Sequence, residues 1–274
     1  MKWYLFAKFF REMSADALMD YCLSEGIDGP TVLVRDGYWT EPCNLRETLP
    51  GFAACARRHG LALKYADTPI DFENERAAEE AYGLLADSGV ELIRLAYLQR
   101  GGDKNPRAFE DMGRRFAEKA CRYGEKFGVR SVIQLHGGFY PHNATAAWGM
   151  VRGLDARYIG VKIDPGNSFA QEGTEYFPYQ IRLLGEYVAA LGAKDACALR
   201  IGGDGSDKGW RKPFVPAFAG QSDYGQVFPV LREIGFDGPA VLMPFYHEDN
   251  LALLKQDFTK EIAYLKEQAA KAGY

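Results

Sequence analysis

Short runs of hydrophobic, strand-forming residues alternate along the chain with longer segments in which hydrophobic residues recur every three or four positions. This alternation is typical of parallel sheets built from βαβ units. It occurs eight times, which predicts an α/β fold of the (β/α)8 barrel type. The predicted strands are Trp3 to Phe9, Thr31 to Arg35, Leu61 to Ala66, Leu92 to Tyr97, Ser131 to His136, Ile159 to Asp164, Val188 to Asp195 and Ala240 to Phe245. A doubly wound open sheet has the same alternation, and counting strands does not exclude it.

Helix start and stop signals lie between these strands. Ser14, Asn44 and either Asp71 or Asn74 precede the first three amphipathic segments, where N-cap residues belong. Glycine follows several of these segments, at positions where a left-handed cap favours a residue without Cβ. These glycines are Gly26, Gly60, Gly89, Gly128 and Gly235. Because no linker or low-complexity tract interrupts the series, residues 1–274 are predicted to form a single domain.

The composition is that of one globular domain, with 274 residues, 47% hydrophobic and 26% charged. A formal net charge of -4 gives no basic field for a phosphate backbone, so we expect no nucleic-acid partner. No stretch reaches the ~18 to 20 apolar residues that a membrane span needs. Met1 to Phe10 reads as the first strand rather than a leader. We therefore expect a soluble, cytoplasmic protein.

The cysteines are odd in number and have no ligand-like spacing. They are Cys22, Cys43, Cys55, Cys121 and Cys197, with no CxxC pair among them. A disulfide framework or a structural zinc usually shows such spacing. We therefore expect free thiols in a reducing compartment.

Four phrases mark the last four predicted strands, in the region where a barrel gathers its chemistry. They are Gln134-Leu135-His136-Gly137-Gly138, Lys162-Ile163-Asp164-Pro165-Gly166-Asn167, Gly192-Ala193-Lys194-Asp195 and Gly235-Phe236-Asp237-Gly238-Pro239. In this order they resemble the xylose isomerase-like sugar isomerase and epimerase superfamily. Its members read Glu-x-His-Gly-Gly, Asp-x-x-Asn or Asp-x-x-His, His-x-Lys-Asp and then Gly-x-x-x-x-Glu. The resemblance implies a xylose isomerase-like barrel and activity on a sugar.

The departures from this pattern fall on the metal ligands. In the superfamily, the strand-five Glu, strand-six Asp, strand-seven His and strand-eight Glu bind a divalent cation, and the two Glu also move the substrate proton. The matching positions here hold Gln134, Asp164, Gly192 and Met243. A hard cation prefers several carboxylate or imidazole ligands, so Asp164 alone offers weak binding. We expect no metal and no other cofactor at this site.

Two lysines and a histidine remain at the strand ends as candidate catalytic groups. Lys162 and Asp164 are two apart and share a face, so Lys162 is a candidate stand-in for the cation, or part of an ion pair that fills the barrel. Lys194 faces inward by the same parity. His136 suits general acid or base catalysis, or a hydrogen bond within the barrel wall.

Other polar and aromatic residues are candidates for substrate binding. With Gln134 and Asp164, they are Asn167, Asp195, Lys64, Arg94, Trp39 and Trp210. Charged strand ends favour an anionic or polyhydroxyl ligand, although rim charges are more often solvated or paired. Aromatic walls suit sugar rings, and they also suit the interface of a homo-oligomer. The segment 202–222 is long enough for a lid or for an arm that reaches a neighbour.

Three functions fit these residues. The first is a sugar or sugar-acid isomerase or epimerase that moves a proton next to a carbonyl, without the usual metal. The second is a non-catalytic barrel that keeps the sugar pocket for binding. The third is a Schiff-base lyase or aldolase that uses Lys162. In each, the partner is a small-molecule sugar or sugar acid.

Overall fold

A computed structural model describes residues 1–99, 105–171, 175–201 and 209–274. Eight parallel strands form its barrel, and the second of them runs in two pieces. They are β1 Lys2–Leu5, β2 Gly29–Pro30 and Val32–Leu33, β3 Tyr65–Asp67, β4 Leu92–Arg94, β5 Arg130–Gln134, β6 Ile159–Ile163, β7 Val188–Ala193 and β8 Pro239–Leu242. The sheet closes because β1 pairs with both β8 and β2, and β2 continues to β3. The barrel prediction is confirmed, and the open sheet is excluded.

Helices cover the outside of the barrel. They are α1 Ala15–Ser24, α2 Leu45–Arg58, α3 Glu75–Asp87, α4 Pro106–Phe127, α5 Ala144–Val151, α6 Pro165–Ala170, α7 Phe177–Leu184, α8 Tyr224–Glu233 and α9 Leu251–Lys271. Ser14 and Asn74 accept hydrogen bonds from the backbone of the first turns of α1 and α3, as N-caps do. Asn44 makes no such side-chain bond. Within the described ranges, no helix is both long and apolar enough to cross a bilayer.

Alternate residues of each strand enter two separate hydrophobic cores. Leu5, Val32 and Leu242 face outward into the large core between strands and helices. Their strand neighbours face inward and form a smaller core inside the barrel. Its buried members are Phe6, Leu33, Tyr65, Ala190, Val241 and Met243. This inner core is the floor on which the charged residues at the carboxyl ends of the strands lie.

The predicted strands lie in the right places but are too long. The chain leaves β1 at Leu5 and enters a 3-10 helix at Ala7–Phe10. β3 begins at Tyr65 rather than Leu61, and β7 ends at Ala193. Asp195–Ala196 instead pairs antiparallel with Phe214–Val215 in the loop that follows. Of the predicted lid or arm, residues 202–208 lie outside the described ranges.

Candidate active site

Five charged side chains meet inside the barrel at the carboxyl ends of its strands. They are Asp67 on β3, Arg94 on β4, Lys162 on β6, Asp164 just after β6 and Lys194 just after β7. Asp67, Lys162, Asp164 and Lys194 are all buried, and the side chain of Arg94 is only 12% exposed. Charges are rarely buried unless they are paired, so the pairing of these five decides what the site can do.

Asp67 lies between Arg94 and Lys162. Arg94 Nε is 3.2 Å from Asp67 Oδ1, and Arg94 Nη1 donates to the carbonyl of Leu95 at 2.9 Å. Lys162 Nζ is 4.0 Å from the same carboxylate oxygen, beyond hydrogen-bond distance. One carboxylate therefore balances two cations, and it forms a hydrogen bond with only one of them.

Lys162 is fully buried, and its ammonium has no hydrogen-bond partner among the described residues. Its Nζ lies 5.2 Å from the ring centre of Tyr65 and 5.9 Å from that of Phe6. Burial lowers the pKa of Lys162 to about 8, against the opposing effect of Asp67. Such a group can offer its three N–H donors to ligand oxygens.

Lys194 makes the second ion pair of the site. Its Nζ is 3.6 Å from Asp164 Oδ2 and lies 4.1 Å and 4.4 Å from the ring centres of Phe214 and Phe245. Burial lowers the pKa of Lys194, while Asp164 opposes the shift. The sequence predicted that Lys162 neutralises Asp164. The structure corrects this: Lys194 contacts Asp164, and Asp67 is the stronger influence on Lys162.

Asp164 is held by two further hydrogen bonds, and the second of them is supported by Tyr97. Its Oδ1 accepts a hydrogen bond from the backbone of Asn167 at 2.8 Å, which caps α6. Its Oδ2 accepts one from Gln134 Nε2 at 3.3 Å, and Gln134 Oε1 accepts one from the Tyr97 hydroxyl at 3.1 Å. The Pro-Gly step of the motif permits this geometry, because a Cβ on Gly166 would lie 2.8 Å from Lys194 Cγ.

His136 lies at the edge of the cluster, against the ring of Tyr97 at 4.6 Å between centres. Its Nδ1 is 2.6 Å from the carbonyl of Gly137, which only accepts, so Nδ1 carries a proton. Its Nε2 is 3.3 Å from the amide nitrogen of Gln171, which only donates. Burial lowers the pKa of His136. Both contacts and the shift favour a neutral imidazole whose Nε2 is the basic atom.

These residues do not fit the divalent cation that the fold implies. Asp164 is the one carboxylate among the four expected ligand positions, and its Oδ2 already faces the Gln134 amide and the Lys194 ammonium. Gly192 leaves space that a lysine chain fills, because a Cβ there would lie 3.1 Å from Lys162 Cε. Met243 packs into the inner core. A cation at this place would meet two ammonium groups and too few oxygen ligands.

Two predicted binding residues, Asp195 and Asn167, lie at the barrel mouth but form hydrogen bonds with backbone groups of the protein. Asp195 is fully buried, and its carboxylate accepts hydrogen bonds from the backbone and hydroxyl of Ser222 at 2.9 and 2.7 Å. Asn167 Nδ2 donates to the carbonyl of Leu135 at 3.0 Å. Its Oδ1 is buried without a hydrogen-bond partner among the described residues, so one face of Asn167 stays available to a ligand.

Three other predicted binding residues lie away from the cluster. The placement of Lys64 was wrong: it precedes β3 at the opposite end of the barrel, 2.5 Å from Glu91, because the strand begins later than predicted. Trp39 stacks on Phe52 and donates to the carbonyl of Met13. Trp210 is 62% exposed in a hairpin formed by Leu199–Arg200 and Trp210–Arg211.

Sequence reasoning missed Asp67 and the partner role of Tyr97. The predicted third strand ended at Ala66, one residue short of Asp67. Had that strand been placed correctly, its alternation would have put Tyr65 and Asp67 on the inner face. No local signal marked Tyr97, whose hydroxyl reaches Gln134 on the next strand along the chain.

The chain belongs to the xylose isomerase-like TIM barrel family. The model of that family matches residues 51–268, most of the sequence. The resemblance stated from the strand-end phrases is therefore confirmed. No curated protein sequence matches the chain.

Solved structures superpose on nearly the whole chain. A D-tagatose 3-epimerase-like protein is 15% identical with a TM-score of 0.72, over 99% of this chain and 98% of its own. A xylose isomerase-like TIM barrel protein from Mycobacterium smegmatis, in complex with magnesium, is 16% identical with a TM-score of 0.71, over 98% and 97%. D-psicose 3-epimerase, in the presence of D-fructose, is 14% identical with a TM-score of 0.70, over 100% of both chains. At these identities the likeness shows the fold.

Proposed function

We propose that this protein isomerises or epimerises a sugar acid by moving a proton next to a carbonyl, with buried lysines in the place of the divalent cation. The observation that carries the proposal is the pair of buried ammonium groups over Asp67 and Asp164. The family relationship and its epimerase-like neighbours support the reaction class.

The charge of the cluster favours an acidic substrate. Lys162, Lys194 and Arg94 outnumber Asp67 and Asp164, which leaves one net positive charge in a buried site. A fourth cation, Lys8, lies 4.9 Å from the ring of Phe245 that also contacts Lys194. A carboxylate on the substrate would neutralise this excess, whereas a neutral ketose would leave it.

The residues divide the reaction as follows. The ammonium of Lys162 donates to the substrate carbonyl oxygen and stabilises the negative charge that develops there as the enediolate forms. Neutral His136 removes the adjacent carbon proton through Nε2 after the substrate displaces the Gln171 amide. In isomerisation it returns that proton to the neighbouring carbon on the same face, while the hydroxyl proton passes to the former carbonyl oxygen. In epimerisation the enediolate turns over in the site before His136 returns the proton to its other face. Lys194 and Asn167 bind the carboxylate and a hydroxyl.

A deuterium-exchange screen tests the proposal. Chelator-treated protein is incubated in D2O with aldonates, uronates and keto sugar acids, and with neutral ketoses of equal length. Proton NMR then follows loss of the carbon-bound proton. We expect exchange with at least one acid and slower exchange with its neutral counterpart. Faster exchange with a neutral ketose contradicts the assigned substrate class. Sugar binding without any exchange supports the non-catalytic barrel instead.

A Schiff-base reaction is the second candidate, because Lys162 Nζ has no hydrogen-bond partner among the described residues and burial lowers its pKa. In that reaction the neutral amine attacks the substrate carbonyl and water leaves as the imine forms. Borohydride reduction with each sugar acid, followed by peptide mass mapping, separates the two. Our proposal predicts no reduced adduct on Lys162. An adduct there would replace it with a lyase or aldolase.

A further inference from the structure

A second cluster of ligand-type side chains lies outside the barrel, where α1 packs beside α2. Asp16 and Asp20 are four residues apart on α1. Cys55 lies on α2, and His59 follows its last residue four positions later. Residues four apart share a helix face, so each helix presents two potential ligands to the other.

We propose that Asp16, Asp20, Cys55 and His59 form a zinc site that joins α1 to α2. This site goes beyond the proposed function and does not depend on it. The thiol and the imidazole favour Zn²⁺ over Mg²⁺ or Ca²⁺, which take oxygen ligands.

The distances suit a tetrahedral ion. Potential ligand atoms of Asp16, Cys55 and His59 all lie within 4.8 Å of one another. Asp16 Oδ1 is 3.3 Å from Cys55 Sγ and 3.9 Å from His59 Nε2, and Asp20 Oδ1 is 3.4 Å from His59 Nε2. Zinc bonds of ~2.0 to 2.3 Å place tetrahedral ligands about 3.3 to 3.8 Å apart. Asp16, Cys55 and His59 are therefore close to tetrahedral spacing, and the exposed carboxylate of Asp20 moves toward the ion to supply the fourth ligand.

The orientation of His59 is already that of a metal ligand. Its Nδ1 is 2.9 Å from the carbonyl of Cys55, which only accepts, so Nδ1 carries the proton. Nε2 points toward the two aspartates, 3.4 Å from Asp20 Oδ1 and 3.9 Å from Asp16 Oδ1, and a metal ion bound there would take the place of a proton on this nitrogen. A hydrogen bond from the second ring nitrogen to a carbonyl is the usual support for a ligating histidine.

The proposed ligands on α2 are largely buried, whereas those on α1 are exposed to solvent. Cys55 is 3% exposed, and the His59 side chain is 17% exposed. The Asp16 and Asp20 side chains are 61% and 71% exposed, so an ion can enter from solvent. The Cys55 thiol donates to Asp16, and zinc would take the place of that proton, which leaves to solvent.

Arg58 opposes the ion and gives the proposal a specific signature. Its Nη2 is 3.0 Å from Asp16 Oδ1, so it competes with zinc for the same oxygen. Removing the guanidinium should therefore strengthen metal binding, whereas removal of a neighbour with only a structural role would not.

No spacing motif marks this site along the chain, because its proposed ligands come from two helices and only one of them is a cysteine. The expectation that no cysteine serves a structural zinc rested on the absence of CxxC pairs. Packing of α1 against α2 supplies the missing ligands instead.

Cobalt titration of the full-length, chelator-treated protein tests the site. We expect one Co²⁺ per chain with a thiolate charge-transfer band, displaced by Zn²⁺. Cys55→Ser should abolish the band, and His59→Gln should weaken binding by roughly 100-fold. Arg58→Gln should strengthen binding by a few-fold, in line with loss of one competing, largely exposed ion pair. Cys43→Ser, which changes an exposed thiol elsewhere, should leave the titration unchanged.

Alkylation of the unmodified protein avoids dependence on the folding of variants. Iodoacetamide labelling of Cys55 and Cys43 is followed by peptide mass spectrometry, with and without Zn²⁺. Slower labelling of Cys55 alone supports the site. Equal labelling rates with and without Zn²⁺, a cobalt band that survives Cys55→Ser, or loss of binding in Cys43→Ser would each overturn it.

Discussion

The two ends of the barrel treat charge in opposite ways. At the amino-terminal end, two solvent-accessible pairs each join one cation with one anion, Lys2 with Asp28 and Lys64 with Glu91. At the carboxyl-terminal end the charges are buried, cations outnumber anions, and Lys162 has no hydrogen-bond partner among the described residues. Exposed ion pairs contribute little to the free energy of folding, and their charges lose little hydration. An unmatched buried charge is costly, and its retention points to a ligand that completes it.

The largest expected difference between the two ends is in stability. Asp67→Asn leaves Lys162 and Arg94 buried without their shared carboxylate, and we expect it to lower the free energy of unfolding by about 3 to 5 kcal/mol. Glu91→Gln removes the partner of an exposed lysine and should change it by less than about 1 kcal/mol. Urea unfolding at pH 7 measures both. Equal losses of unfolding free energy in the two variants would contradict the claim that charges are costly to leave unpaired only at the carboxyl-terminal end.

Turnover should also differ between a lysine at the carboxyl-terminal end, Lys162, and one at the amino-terminal end, Lys64. Lys162→Met removes the group that stabilises the developing oxyanion, so turnover of the best sugar acid should fall ~100-fold or more. Lys64→Met makes the same change at the opposite end and should leave turnover unchanged. Both rates come from deuterium exchange at saturating substrate. Similar rates in the two variants would argue against a catalytic Lys162.

The pH dependence of stability should carry the signature of Lys162. Its pKa is lowered in the folded state from 10.5 to about 8, so the folded protein holds fewer protons than the unfolded chain between these values. The destabilisation is fully present below pH 8 and is relieved as pH rises toward 10.5. In that window, stability of the wild type relative to Lys162→Met should rise by about 1 kcal/mol per pH unit. A flat difference would contradict a buried, protonated Lys162.

The smallest expected effect concerns the rim. Lys8 is only partly buried. Burial lowers the pKa of Lys8, and of the two nearby charges Glu248 raises this pKa while Arg35 lowers it. Lys8→Met should weaken binding of a sugar acid by only a few-fold, with the difference shrinking at high salt. Calorimetry at two ionic strengths checks this, with a neutral ketose as the control ligand. A large, salt-independent loss would make Lys8 a central ligand instead.

The sequence was sufficient for the barrel and for part of its interior. Strand alternation placed Lys162, Asp164 and Lys194 inside correctly, because side-chain parity is a local property. Pairing between strands is not local. For that reason the contact of Lys162 with Asp67, rather than Asp164, appeared only in the structure. Lys64 was misplaced because a strand boundary shifted by a few residues carried it to the other end of the barrel.

Exchange by chelator-treated protein, with and without added Mg²⁺ or Mn²⁺, tests the central claim most directly. That claim is proton transfer supported by buried lysines at a position where the fold implies a cation. We predict that the exchange rate of the best sugar acid stays the same when either metal is added. A rate that is absent after chelation and restored by the metal would contradict the account.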